Sequence, residues 1–179
     1  RTPVLKTITT LDNSGRAVDI TELSARDAVL SKITSKYDVY GNLTEQFAYD
    51  ADSKLLWRNV NTYNNGQKAD VSEYDKNGLL RARTIFQHAD GRLADETGYD
   101  GDGALLWKII YKYNAAGKLA EVFEYSADGT LDVQESYTYS DDGKIESLST
   151  YDAFSGETEK QVFRYASNGT LSEITTYDA

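Results

Sequence analysis

Glycines at positions 15, 41, 66, 78, 91, 103, 117, 129, 143, 156 and 169 fall 12 to 14 residues apart or at twice that interval, and this spacing constrains the fold more than any other feature. Ser53 and the Asp27/Ala28 region stand where two more turns would fall. Most of these positions lie between an aromatic and an aliphatic residue, as in Tyr125-Ser126-Ala127-Asp128-Gly129-Thr130-Leu131, and close copies run Tyr37 to Leu43, Tyr99 to Leu105, Tyr113 to Leu119, Tyr139 to Ile145 and Tyr165 to Leu171. Self-similarity at a fixed period marks a repeat architecture. An interval of this length holds one strand of roughly 8 or 9 residues and a short connection, and every second turn returns after 25 to 27 residues, so the unit is a β-hairpin.

The turns have a readable mechanism. In Asn114-Ala115-Ala116-Gly117 a type I turn is followed by a residue that must sit at positive φ, which glycine adopts without steric cost. If Asn114 pairs with Lys118, Tyr113 falls opposite Leu119, and such a cross-strand pair contributes about 0.2 to 1 kcal/mol. Asn65-Gly66 is a two-residue turn candidate, whereas Gln87 to Gly91 and Asp152 to Gly156 read as connections longer by one. Gly98 inside a strand suggests a bulge or bend.

These signals predict an all-β fold: an antiparallel hairpin meander of about 13 strands, as a curved single-layer or solenoid-like sheet, with a closed sandwich as the alternative. Residues 1–179 are expected to form a single repeat domain, with 1–36 an irregular cap or atypical first repeats and 37–179 regular. The stretch from Ser24 to Leu30 fits either a glycine-free turn, which the register favours, or one helical turn after a serine cap. Strict alternation along the strands predicts that nearly every aromatic, including Tyr37, Phe47, Trp57, Tyr63, Tyr74, Phe86, Trp107, Tyr111, Phe123 and Tyr137, shares one face. The other face would hold Gln46, Arg58, Glu73, Arg83, Glu96, Lys108, Lys112 and Glu124. Because Glu45, Asn59, Asn61, Asp70, Asp95, Glu121 and Glu135 interleave with the rings, a fully dry core is not expected.

Composition narrows the function classes. With 19 Lys and Arg against 29 Asp and Glu, a net charge of −10 and no basic stripe, nucleic acid is not an expected partner. No apolar run approaches the roughly 20 residues of a membrane helix, so membrane insertion is not expected. Fourteen Tyr against five Phe suit a surface packed on one side and wet on the other. The single proline, Pro3, leaves the strands free of ladder breakers. The absence of Cys removes disulfides and thiolate chemistry, and the chain, which starts at Arg1 and contains no Met, is expected to be a processed or excised fragment.

No constellation for catalysis stands out. His88 is the one histidine and reads as a solvated loop residue, so neither a two-His metal site nor a Ser-His-Asp arrangement assembles in one copy. Asp50/Asp52, Asp100/Asp102 and Asp141/Asp142 lack the continuation of a calcium loop and sit where turns use Asp for local hydrogen bonds. No acid pair is singled out for glycoside hydrolysis. The expectation is therefore a non-enzyme without cofactor or metal.

Trp57 and Trp107 recur 50 residues apart in matching Leu-Leu-Trp strands. A repeated core aromatic is the plainer explanation, and stacking on an extended sugar the sharper one. With Tyr63, Tyr111, Phe123 and Tyr137 they form the candidate set for ligand or partner contact.

The repeated Tyr-Asp followed by Gly and an aliphatic, in Tyr37 to Leu43, Tyr74 to Leu80 and Tyr99 to Leu105, resembles the YD (Rhs-like) repeats of bacterial surface and toxin-shell proteins, and more weakly MORN-type hairpin repeats. The resemblance covers about residues 37–179. It implies a long hairpin sheet and a non-enzymatic scaffold or protein-contact role within a larger secreted or cell-surface protein. A carbohydrate-binding module is the alternative.

Overall fold

The computed structural model describes residues 5–178, so Pro3 lies outside the described residues. Fourteen strands follow one another: β1 (Leu5–Leu11), β2 (Ala17–Ser24), β3 (Val29–Tyr37), β4 (Leu43–Asp50), β5 (Leu55–Asn64), β6 (Gln67–Asp75), β7 (Leu80–Ala89), β8 (Arg92–Asp100), β9 (Leu105–Tyr113), β10 (Leu119–Ser126), β11 (Leu131–Tyr139), β12 (Ile145–Asp152), β13 (Glu157–Tyr165) and β14 (Leu171–Asp178). They form one antiparallel sheet in sequence order, with β1 and β14 at its two ends. The meander is as expected, with fourteen strands rather than thirteen and no second sheet among the described residues. The chain divides into two compact units, Arg1–Phe86 with Tyr99–Ala104 and Gln87–Gly98 with Leu105–Ala179.

Local chemistry sets the turns. Each of the eleven glycines named above has positive φ, and Asp27 (φ 60°) and Ser53 (φ 62°) take the same backbone conformation at the two glycine-free positions. Ser24 to Ala28 is therefore a turn, closed by Ser24 N–H donating to Ala28 C=O at 2.8 Å. In the Asn114 turn, the Asn114 N–H donates to Lys118 C=O at 2.9 Å, and its Oδ1 accepts the N–H groups of Ala116 and Lys118, both at 3.0 Å. Asp38, Asp50, Asp75 and Asp100 each accept a pair of turn N–H groups in the same way. An aspartate after the tyrosine thus replaces water as the acceptor for otherwise unpaired turn donors.

The returning strand then departs from strict alternation. Tyr113 lies opposite Leu119 as expected, but Lys112 lies opposite Glu121, so Ala120 is an inserted residue. The same step recurs along the chain, for example at Leu43/Thr44, Leu55/Leu56, Leu80/Arg81, Leu131/Asp132 and Leu171/Ser172, whereas β12 and β13 pair without it. A β-bulge opposes two residues to one and shifts every later side chain to the other side of the sheet.

This overturns the expectation that the rings share a face. In the first unit, cross-strand pairing places Phe47, Tyr49 and Tyr74 on one face with Lys36, Glu45 and Arg58, and Tyr37, Trp57, Tyr63 and Phe86 on the other with Glu73 and Asp75. In the second, Phe123, Tyr125 and Tyr151 share a face with Lys108 and Lys112, and Trp107, Tyr111, Tyr113, Tyr137, Tyr139, Phe163 and Tyr165 occupy the opposite one. Arg58 and Glu73, expected together, are separated.

Burial is correspondingly thin. Leu23, Ala48 and Val122 are the buried apolar residues, and no large side chain among those described is fully buried. A further correction concerns β7. Asp90 (φ 52°) and Gly91 (φ 75°) make a two-residue turn, so the connection is shorter than expected and His88 is a half-buried strand residue. Gly98 stands at a close approach: a Cβ there would lie 2.3 Å from Trp107 Cε2.

Candidate interaction surface

A recurring tyrosine clamp links neighbouring hairpins at five places among the described residues. Tyr37, Tyr63, Tyr113, Tyr139 and Tyr165 each lie at or next to the end of a strand, and each hydroxyl donates to the backbone carbonyl of the residue 20 positions earlier: Ala17, Leu43, Leu93, Leu119 and Ile145, at 2.7 to 3.0 Å. At four of the five, the residue just before that carbonyl is a cation that covers the ring. Arg16, Arg92, Lys118 and Lys144 stand 4.8 to 5.6 Å from the centroids of Tyr37, Tyr113, Tyr139 and Tyr165. Each cation then reaches the glycine of the next turn at the same end of the strands: a Cβ on Gly117 would lie 2.2 Å from Arg92 Nη2, and one on Gly143 2.1 Å from Lys118 Nζ. The hydrogen bond contributes a net ~0.5–1.5 kcal/mol and the cation–ring contact about 0.5–1 kcal/mol. The sequence signal was a Lys or Arg 21 residues before the tyrosine, visible at 16/37, 92/113, 118/139 and 144/165.

Among the candidate contact residues, Trp57 and Tyr63 share a face of the first unit, while Trp107, Tyr111 and Tyr137 share a face of the second and Phe123 lies on its reverse. Tyr63 is held in the clamp. Phe123 lies under Lys112 Nζ, 4.3 Å from its ring centroid. Tyr111 donates to Glu96 Oε1 at 2.8 Å, and burial followed by this bond raises its phenol well above the ordinary value. Tyr137 donates to Glu135 Oε2 at 2.5 Å, and burial with that carboxylate pushes its phenol up to about 12. At neutral pH both are neutral donors already engaged, suited to contact through their rings rather than to proton transfer.

The reverse face of the first unit carries an ion-pair ladder. Glu45 bridges Lys36 Nζ (2.8 Å) and Arg58, and Arg83 pairs with buried Asp70, which also accepts Ser72 Oγ at 2.8 Å. Lys36 and Arg58 stand over the Phe47 ring at 4.8 and 5.6 Å.

Shallow depressions interrupt the surfaces, among them one of about 420 Å³ lined by Glu157, Thr158, Glu159 and Asp178. One of about 310 Å³ is lined by Leu56, Trp57, Asn59, Glu73, Asp75 and Arg81 together with Tyr74, and one of about 360 Å³ by Leu80, Arg83, Ile85, Tyr99 and the turn to Gly103. In the second unit Arg92, Tyr111, Tyr113 and Asn114 line one of about 330 Å³. Asp50 and Asp100 are turn acceptors, and Asp142 pairs with Lys144 at 2.8 Å. No group of three or more His, Cys, Asp or Glu positioned for a metal occurs among the described residues.

No family model matches the chain, and no curated protein matches it in sequence. Among solved structures it is similar to a chain in the crystal structure of TcdB2-TccC3 without the hypervariable C-terminal region, at 15% identity and a TM-score of 0.36 over 95% of this chain and 11% of that one. It is also similar to a porin-like protein from Bacteroides uniformis, at 15% identity and a TM-score of 0.43 over 89% of this chain and 59% of that one. The chain therefore spans less than two thirds of the length of either.

Proposed function

We propose that the chain is a non-enzymatic repeat module, carried by a larger protein outside the cell or at its surface, that acts as a structural scaffold and offers its faces for protein contact. The tyrosine clamp carries this reading. The same hydroxyl, cation and glycine recur at fixed spacing in both units, so side-chain chemistry goes into joining one hairpin to the next. The YD-like motif supports the location. A repeat scaffold tolerates a change in repeat number, because each unit is stabilised by its neighbours. Excision of residues 118–143, joining Gly117 to Lys144, should leave a folded protein with two strands fewer and the same β signature in circular dichroism. Loss of all cooperative unfolding in that variant would remove the scaffold reading.

A second reading, carbohydrate binding, is favoured by the Trp57 depression, where an indole stands beside an amide and a carboxylate. A glycan array on the intact chain tests it: saturable binding lost on Trp57→Ala or Trp107→Ala would replace the purely structural view.

A further inference from the structure

The geometry points to a binding site for one neutral pyranose ring in the depression around Trp57, an assignment that rests on the carbohydrate reading above. Four side chains form a square on one face of β5 and β6, with Trp57 opposite Asp75 and Asn59 opposite Glu73. On the other flank Trp57 faces Ala48, whose small side chain leaves the indole without a bulky neighbour from β4. The volume of about 310 Å³ is at the lower end of small-ligand sites, which suits a single ring.

The polar groups divide into engaged and free. Asp75 is engaged: Oδ1 accepts the Asn77 and Leu79 N–H groups at 2.9 Å, Oδ2 accepts Arg81 Nη2 at 2.8 Å, and these bonds hold its carboxyl below the usual carboxylate range. The side chains of Asn59 and exposed Glu73 have no hydrogen-bond partner among the described residues. An amide both donates and accepts, and a carboxylate accepts; adjacent sugar hydroxyls are the complementary pair. The C–H face of a pyranose meets the indole, giving the apolar floor with a few placed polar groups that small-ligand sites use.

Charge narrows this class: Asp75 and Arg81 offset one another as an ion pair, and the unpaired Glu73 carboxylate disfavours an acidic sugar. Trp107 lacks these neighbours: it lies opposite Ser126, Ile109 takes the place of Asn59, and its ring is packed over Gly98. The site is therefore specific to Trp57.

The test is titration of the intact chain with D-glucose, D-galactose, D-mannose and N-acetyl-D-glucosamine separately, alongside D-glucuronate and choline, reading the two indole N–H resonances by NMR. Trp57→Phe assigns them. At least one neutral sugar should shift the Trp57 resonance saturably at millimolar concentration and leave Trp107 in place. With binding read in every variant from the backbone amide resonances of β5 and β6, Trp57→Ala should abolish the response, and Asn59→Ala and Glu73→Gln should each weaken it a few-fold to about tenfold. Lys160→Gln, in the other unit, should bind as the parent chain does. Retained binding by Trp57→Phe, weaker than the parent, would separate loss of the ring from loss of the fold. The site is refuted if no neutral sugar saturates, if binding survives Trp57→Ala, or if glucuronate or choline binds more tightly. Array binding that persists in Trp57→Ala would overturn this site and leave the carbohydrate reading standing. Silence in both experiments would end both.

Discussion

Gly98→Ala is expected to change the sign of its effect according to what occupies position 107. Gly98 has no positive φ, so an added methyl strains no backbone there, and the loss of unfolded-state freedom alone would stabilise by about 0.4–1 kcal/mol. The obstacle is steric. The new Cβ would lie 2.3 Å from Trp107 Cε2, 2.4 Å from Nε1 and 2.8 Å from Cζ2, where ordinary contact begins at 3.4 Å. The indole must therefore shift bodily by about 1 Å, the scale of overpacking that costs about 1–3 kcal/mol. In the parent chain Gly98→Ala should destabilise by that amount and lower Tm by ~2–9 °C for a chain of this size. In a Trp107→Leu background the shorter side chain does not reach, and the same substitution should stabilise. Urea unfolding of the four proteins, followed by far-ultraviolet circular dichroism, gives a coupling energy expected near 2 kcal/mol. Equal effects of Gly98→Ala in both backgrounds would refute the argument that this glycine exists to seat the indole.

Tyr139→Phe should cost about 1 kcal/mol in urea unfolding, because it deletes the donor to Leu119 C=O and keeps the ring under Lys118; Tyr125→Phe, whose hydroxyl has no hydrogen-bond partner among the described residues, should fall within ~0.5 kcal/mol of the parent. Gly129→Ala adds a methyl that meets nothing within 4 Å, so any loss is pure backbone strain at φ 84°, about 1–2 kcal/mol by the same assay. The raised phenols of Tyr111 and Tyr137 favour the protonated form in the fold. Their contribution should be complete below the ordinary value of 10.0 and lost as pH rises through the folded value, about 12 for Tyr137; Tyr137→Phe should flatten the alkaline limb of the urea midpoint against pH. Asp12, Asp38, Asp75, Asp128, Asp142 and Asp152 lie below their ordinary 3.8, so their contribution is present above that pH and lost below it, through about 2 for Asp142. The urea midpoint should fall as the medium is acidified through this range.

The turns were legible because their causes are local. Positive φ at Gly117 and acceptance of two N–H groups by Asn114 depend on five consecutive residues, and the same rule let Asp27 and Ser53 stand in for glycine. Strand order followed, since hairpins with connections this short leave neighbours no choice but to pair. Side-chain direction was misread for one reason. The inserted residue that follows most of the turns, such as Ala120 opposite the step from Tyr113 to Lys112, carries no composition of its own: Leu56, Arg81, Asp132 and Ser172 fill the same role. His88 was misplaced because Asp90-Gly91 closes a tighter turn than its neighbours suggested. Of the Trp57 site, the indole was visible as a repeated Leu-Leu-Trp; its partners Asn59 and Glu73 were not, since Glu73 reaches it only across the β5–β6 pairing.

The sequence by itself determined where the chain reverses and that it forms antiparallel hairpins, because backbone conformation at a turn is decided within a few bonds. The tertiary structure decided which face each ring occupies, which glycine seats an indole and which carbonyl each tyrosine grips. Those outcomes depend on registers and approaches between strands, where one inserted residue inverts everything that follows it.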